Sequence, residues 1–276
     1  MIGQNELIET VDAMIDKGKF PRFSLILGAS GSGKYLICRH IAKRMQVNFI
    51  NVEVGIDAIR DMIHTAYSVS EPTMYVVRRA DKLSTAAQNA LLKVTEEPPN
   101  MAFIVLTASN DNLLLSTILS RSTVFRMNVY TPNEIFEYMK SKYNYNMDDI
   151  ATITDICETP GEVDMMFKYN VSDFLGYVNL VVENIAVVSG ANSFKISDKL
   201  NLGNDEDKYN LRLFWKAFIV VCVQNISTCP AKFSYGVKTT SSYLQKLRVN
   251  GLNLSLAFDM WLLDIRKEWM LYAEDN

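Results

Sequence analysis

Residues 28–35 read Gly28-Ala29-Ser30-Gly31-Ser32-Gly33-Lys34-Tyr35 and match seven of the eight positions of a phosphate-binding loop. In the pattern G-x-x-x-x-G-K-[S/T], the glycines let backbone N–H groups close around phosphate oxygens, the lysine reaches the β- and γ-phosphates, and the final hydroxyl binds Mg²⁺. A tyrosine phenol stands at the end of a rigid ring and cannot replace that short hydroxyl. The sequence therefore predicts a degenerate phosphate loop that lacks a metal ligand, formed by Gly28, Gly31, Gly33, Lys34 and Tyr35.

The segments around this loop predict an α/β core. An apolar run at 23–27 enters the loop and a helical pattern at 34–45 leaves it, the order that a phosphate loop requires. Further apolar runs and helical patterns alternate along the chain: strands at 49–54, 74–77, 103–107 and 124–129, and helices at 56–68 and 85–94. Such alternation indicates a parallel sheet covered by helices.

Beyond residue 130 the patterns are helical only. The predicted helices span 132–142, 148–157, 161–168, 171–189, 205–227, 241–249 and 254–272, with a loop at 190–204. A chain of 276 residues suits two or three domains. We therefore expect an α/β core over 1–130, a small helical domain over 131–170 and an all-α domain over 171–276.

Composition excludes several classes of protein. The net charge of -3 argues against general coating of nucleic acid, although residues 1–130 carry 14 basic and 12 acidic residues and so permit a DNA-facing region there. The four cysteines are scattered without a C-x-x-C pair, so we expect reduced thiols and no zinc or redox site. The chain opens with no signal-peptide pattern, and the most apolar run, 213–226, is too short to cross a bilayer. We expect a cytoplasmic protein without a membrane partner.

The residues that follow the third predicted strand indicate whether the chain can hydrolyse a nucleoside triphosphate. Nucleoside triphosphatases with a phosphate loop place there an Asp that holds Mg²⁺ and a residue that orients the attacking water. Here the strand runs into Arg78 and Arg79, whose charges would repel a metal ion. The nearest carboxylate, Asp81, fits a turn or helix cap. We expect no metal site and no hydrolysis by the isolated chain.

Four segments then carry a family resemblance. The most specific is Gln88-Asn89-Ala90-Leu91-Leu92-Lys93-Val94-Thr95-Glu96-Glu97-Pro98-Pro99, preceded by Ala80-Asp81-Lys82-Leu83-Ser84 and accompanied by Ile2-Gly3-Gln4 and residues 115–122. In order and spacing they resemble the AAA+ clamp-loader subunits of DNA replication, most of all the delta-prime type of bacterial DNA polymerase III. The resemblance is close over 1–130 and holds in outline beyond. It implies an AAA+ core with a RecA-like parallel sheet and flanking helices, a helical lid and an all-α collar that joins a ring of subunits.

The resemblance also assigns site residues. Arg121 falls where the family presents an arginine finger to ATP on a neighbouring subunit, with Ser122 where the family usually has Cys. Residues 107–110 fall at the first nucleotide sensor, and Asp164 stands where the second sensor has an arginine. Between residues 45 and 74 this chain has no cysteines, whereas bacterial relatives often carry four zinc ligands there.

Three functions follow in order of preference. The first is a non-catalytic, delta-prime-like subunit that supplies Arg121 in trans while the complex loads the sliding clamp onto primed DNA. Its implied partners are an ATP-hydrolysing subunit, a delta-like subunit, the clamp and DNA. The second is a module that binds ATP or ADP without hydrolysis, and the third is an active ATPase with unconventional metal ligands such as Asp81.

Overall fold

The computed structural model describes residues 2–144, 150–186, 207–247 and 252–272. The chain divides into two compact units. The first contains the residues up to 138 together with 159–161, and the second contains the rest. The predicted three-domain boundaries differ from this division into two units and stay a prediction.

The first unit is built on a five-stranded parallel sheet. In its described residues the strands and helices are α1 (Asn5–Asp16), β1 (Phe23–Leu27), α2 (Lys34–Met45), β2 (Asn48–Val52), α3 (Ile56–Ser68), β3 (Thr73–Val77), α4 (Thr85–Glu96), β4 (Ala102–Ala108), α5 (Ser116–Arg121) and β5 (Thr123–Arg126). The strand order is β2-β3-β4-β1-β5, and every neighbouring pair is parallel. The predicted parallel sheet with flanking helices is confirmed.

Helices cover both faces of this sheet. Every residue of β1, β3 and β4 is buried, as expected for strands covered on both sides. On one face Leu25 and Ile104 belong to a core cluster with residues of α3 and α4. On the other face Ile26 and Val105 pack in a cluster with residues of α1 and α2. Alternate residues of one strand thus serve two separate cores.

The sheet positions the phosphate loop. In parallel α/β sheets, ligands bind beyond the carboxyl ends of the strands. The loop leaves the carboxyl end of β1 at Gly28, and β1 pairs with β4, after which Ser109 follows. Arg78 follows the carboxyl end of β3, which pairs with β4 on its other side. The fold therefore brings the residues after three strands to one edge.

The second unit is helical in the part of it that the structure describes. Its elements are α7 (Ile150–Ile156), α9 (Val171–Asn184), α10 (Asp207–Gln224), α11 (Pro230–Lys246) and α12 (Leu254–Trp269), while α6 (Pro132–Lys142) and α8 (Pro160–Lys168) cross the division between the units. Three fully buried tryptophans, Trp215, Trp261 and Trp269, form its centre with Phe218. Within the described ranges, no helix is long and apolar enough to cross a bilayer.

The largest difference from the predicted helix boundaries is at the start of α11. The helix predicted at 241–249 begins eleven residues earlier, at Pro230, and is described as far as Lys246. Its first half contains Pro230, Ser234 and Gly236, which form helices poorly and weaken the sequence signal there. Packing decides instead, because Gly236 lies against Trp269 and Cys222. The predicted loop at 190–204, and the ends of the predictions that reach 148–149, 187–189, 205–206 and 248–249, lie outside the described residues.

A charge cluster lies inside the second unit. Lys216 Nζ lies 2.9 Å from both carboxylate oxygens of buried Glu162 and 2.8 Å from Glu158. Arg212 pairs with Glu158 at 3.1 Å and approaches Glu162 at 3.6 Å. Burial alone would raise the pKa of Glu158, but Lys216 and Arg212 hold it below its ordinary value. Since an unpaired buried charge is costly, the two buried members, Lys216 and Glu162, depend on each other.

Candidate functional site

The phosphate loop has the backbone that its glycines permit. Gly31 and Gly33 adopt φ values of 78° and 94°, a region that other residues rarely enter. Gly28 is needed for another reason, because a Cβ there would lie 2.8 Å from the Cβ of Met127. Gly33 immediately precedes α2, so the N-terminal N–H groups of that helix belong to the loop. The backbone needed to hold a phosphate group is therefore present.

Two carbonyl groups fasten the loop to the rest of the first unit. The Tyr130 hydroxyl donates to the carbonyl oxygen of Ser32 at 2.7 Å. The Gly161 N–H donates to the carbonyl oxygen of Gly31 at 3.0 Å. A Cβ at Gly161 would lie 2.6 Å from Gly31 Cα, so only glycine permits this approach. The loop is thus fixed by residues far from it in sequence.

Lys34 turns back onto its own loop. Its Nζ donates to the carbonyl oxygens of Gly28 and Ala29, both at 2.7 Å, and to Ser109 Oγ at 3.2 Å. Burial lowers the pKa of Lys34 to about 8, although the charge of Asp81 opposes that shift. Two of the three ammonium hydrogens therefore serve loop carbonyls and the third joins the loop to the end of β4.

Asp81 supports the same corner from a short 3₁₀ turn, Ala80–Lys82. Its Oδ2 accepts from the Ser109 backbone N–H at 3.1 Å, while its Oδ1 is buried without a hydrogen-bond partner. The turn begins after Arg79, which has φ 53° and donates its N–H to Thr107 Oγ1 at 3.2 Å. Two residues of the predicted first-sensor segment, Thr107 and Ser109, thus join the strand ends.

The position of the expected metal ligands is filled by an aromatic–cation pair. The Arg78 guanidinium lies 4.7 Å above the centre of the Tyr35 ring, a favourable cation–π distance. The same ring meets Phe49 edge-on, with 5.7 Å between ring centres. Within the described ranges, no group of three or more His, Cys, Asp or Glu side chains could hold a metal ion. The residues at this corner do not fit Mg²⁺.

Arg121 is the last residue of α5. Its Nη2 lies 2.9 Å from Glu96 Oε1, and its Nη1 donates to the carbonyl oxygen of Thr117 at 3.3 Å. The side chain is 38% exposed. The guanidinium is therefore held by two acceptors and open to solvent. Its role as a finger stays a prediction.

Asp164 lies on α8 in the second unit. Its Oδ1 accepts from Lys142 Nζ at 2.9 Å and from the Tyr143 hydroxyl at 2.8 Å. The Tyr143 ring also stacks on Phe167, with 4.2 Å between ring centres. Asp164, at the second-sensor position, is thus held by Lys142 and Tyr143 within its own unit.

Sequence patterns missed four contacts of this region. Tyr130 and Gly161 contact the phosphate loop and Glu96 contacts Arg121, yet no local pattern marks them as partners, because their contacts join distant segments. The fourth contact joins Tyr35 to Arg78. The sequence did contain a signal for this contact, since Tyr35 and Arg78 both stand at positions where metal ligands are expected.

Comparison with known proteins agrees with these features. A family model described as DNA polymerase III, delta subunit, matches residues 45–131. The DNA polymerase III subunit gamma of Buchnera aphidicola subsp. Schizaphis graminum is 26% identical over 55% of this chain, which spans about half of that protein (51%). The DNA polymerase III subunit delta' of Haemophilus influenzae is 34% identical over 36% of this chain and 32% of its own length.

Among solved structures, a gamma subunit-related protein of Thermotoga maritima matches with a TM-score of 0.55 and 18% identity over 95% of this chain and 99% of its own. The sheet order, the glycine loop and this likeness define an AAA+ fold. Within that fold, the family model over residues 45–131 and the relatives named above are DNA polymerase III subunits. The chain is therefore similar to AAA+ clamp-loader subunits.

Proposed function

We propose that the chain is a non-hydrolysing, delta-prime-like subunit of a DNA polymerase III clamp loader. It supports ATP-dependent loading of the sliding clamp onto primed DNA, within a complex that contains an ATP-hydrolysing subunit and a delta-like subunit. Its chemical contribution is Arg121, presented to ATP that a neighbouring subunit holds. Such a complex works in the cytoplasm.

The observation that carries the non-hydrolysing role is the pair formed by Tyr35 and Arg78. Both residues stand where a hydrolysing subunit needs metal ligands, and they contact one another instead. A guanidinium at this place repels Mg²⁺, whose charge catalysis of phosphoryl transfer requires. The relatives include subunits named gamma and subunits named delta', so this pair is what favours the delta-prime role.

Exposed apolar residues in the second unit support the proposed assembly with other subunits. Leu256, Met260 and Leu263 are 57%, 50% and 43% exposed. Their spacing of four and three residues places them on one side of α12, while Phe258, Trp261 and Ile265 of the same helix are buried. A helix that is apolar on both sides suits a position between its own core and a neighbouring subunit.

The test of Arg121 uses the assembled complex. We expect Arg121→Ala to lower DNA-stimulated ATP turnover by about tenfold or more, because a finger supplies fixed positive charge to the γ-phosphate and can contribute about 10³–10⁵ in rate. Assembly, followed by size-exclusion chromatography, should not change. Turnover is measured with the sliding clamp and primed DNA present.

The matched control is Arg126→Ala. Arg126 is also exposed and pairs with one carboxylate, Asp111, at 3.2 Å. It should leave turnover unchanged, because no finger role falls on it. Equal turnover of the Arg121→Ala complex and the unaltered complex would remove the proposed role of Arg121.

A second candidate function is nucleotide binding without hydrolysis. The left-handed glycines and the N–H groups at the start of α2 favour it, because they do not depend on the side chain at position 35. Calorimetry with ADP, with and without Mg²⁺, tests it on the purified chain. Heat that is independent of Mg²⁺ and lost in Lys34→Ala would support this function; no heat at millimolar ADP would reject it.

A further inference from the structure

We propose that Glu96 is the positioning residue of Arg121. This inference rests on the proposed finger role of Arg121. The pair is specific in geometry, since Glu96 Oε1 lies 2.9 Å from Arg121 Nη2. Glu96 ends α4 and Arg121 ends α5, so one contact fixes the ends of two helices against each other.

The contact leaves the guanidinium able to act. Arginine has five N–H donors in a planar fork, and the bonds to Glu96 and Thr117 engage two of them. Those two acceptors orient the plane of the fork, and the side chain remains 38% exposed. Three donors stay available to a phosphate group approaching from solvent. An arginine without such acceptors would sample many rotamers, and binding a phosphate group would then cost it more conformational entropy.

A carboxylate is the suitable partner here. It accepts a charge-assisted hydrogen bond, which is shorter and stronger than a neutral one. Glu97, the next residue, is exposed as well, but its hydrogen bonds use backbone groups: its N–H donates to the carbonyl oxygen of Lys93 at 3.1 Å, and its own carbonyl oxygen accepts from the Tyr67 hydroxyl at 2.8 Å. Two adjacent glutamates thus differ in their contacts, so Glu97 is a matched control.

The test compares Glu96→Gln with Glu97→Gln in the reconstituted clamp-loader complex with its clamp and primed DNA. We expect Glu96→Gln to lower kcat for ATP about two- to fivefold, because an exposed ion pair contributes at most about a fivefold change. KM for ATP should not change, since the neighbouring subunit binds the nucleotide. Glu97→Gln should have no effect on either constant. The melting temperature of the purified chain should be the same for both variants.

The double variant separates the two proposals. With Arg121→Ala already present, Glu96→Gln should cause no further loss, since contacting residues that act together are not additive. A strong loss in Arg121→Ala with unchanged turnover in Glu96→Gln overturns the positioning role and leaves the finger role standing. An unaffected Arg121→Ala complex overturns both. A rise in turnover in Glu96→Gln, or an equal loss in both backgrounds, also overturns the positioning role.

Discussion

At the residue scale, Lys34 is the side chain whose chemistry the fold alters most at the phosphate loop. Its ammonium group contacts two carbonyl oxygens and a hydroxyl, and its pKa falls to about 8 because it is buried. A lysine whose pKa is lowered in the folded state links the stability of the fold to pH. The direction of that link follows from the pKa in the folded and unfolded chains.

We expect Lys34 to make the folded state more stable as pH rises. Its ordinary pKa is 10.5 and its folded pKa is about 8, so between these values the unfolded chain holds the extra proton. The free energy of unfolding of the unaltered chain should therefore rise between pH 8 and 10.5, relative to that of Lys34→Met. Urea unfolding of both proteins at several pH values isolates this difference from other titrating groups. A constant difference across the range would contradict the lowered pKa.

At the element scale, the contact between Gly161 and Gly31 ties the start of α8 to the loop. It consists of one N–H···O bond of 3.0 Å and a backbone approach that leaves no space for a Cβ. Both residues lie in the first unit, although α8 continues into the second. A single glycine thus determines how closely the chain passes the phosphate loop.

Gly161→Ala should destabilise the chain by about 1–3 kcal/mol, the usual cost of forcing extra atoms into a packed place. The control is Gly176→Ala, because Gly176 lies within α9 with open space where a Cβ would be. That variant should gain about 0.5–1 kcal/mol, as alanine favours helix. Thermal unfolding of both variants checks that the change in the free energy of unfolding has opposite signs. A stable Gly161→Ala protein would show that the backbone can separate there.

The elements that sequence predicted well are those with a strong local signal. Buried strands such as β3 and β4 are continuous apolar runs. The glycine loop predicts a strand before it, β1, and a helix after it, α2. The first half of α11 has no such signal, because its helix is stabilised by packing of Gly236 rather than by propensity. The lack of a local sequence signal also explains why the contacts of Glu96 and Gly161 were not predicted. Their partners are defined by the three-dimensional fold, which a local pattern does not contain.

At the scale of the whole molecule, the exposed apolar side of α12 is a surface without a partner among the described residues of the chain itself. Leu256, Met260 and Leu263 lie on it, and the opposite side of the helix packs into the core with Trp261. If the chain joins a ring of subunits as proposed, this side of α12 contacts a neighbour.

We expect the double substitution Leu256→Asp with Met260→Asp to weaken assembly about tenfold or more, because burying two carboxylates at an apolar interface is costly. The fold should remain, since both side chains are half exposed or more. Leu180→Asp is the control, as Leu180 is also 50% exposed but lies on α9. Analytical ultracentrifugation of the mixture of subunits measures assembly, and circular dichroism checks the fold. Unimpaired assembly of the double variant would exclude this surface as an interface.

The contact of Arg78 with the Tyr35 ring has a consequence for the history of the chain. A change of Tyr35 to threonine would restore one metal ligand and leave the guanidinium beside it, without its aromatic partner. A change of Arg78 to aspartate would place a carboxylate against the face of a ring, with no hydroxyl for the metal. Neither single step recovers the lost site, and each discards a contact that now exists. Two coordinated changes are therefore needed to rebuild a metal site, and under the proposed non-hydrolysing role no single substitution at these two positions would turn the subunit into an ATPase.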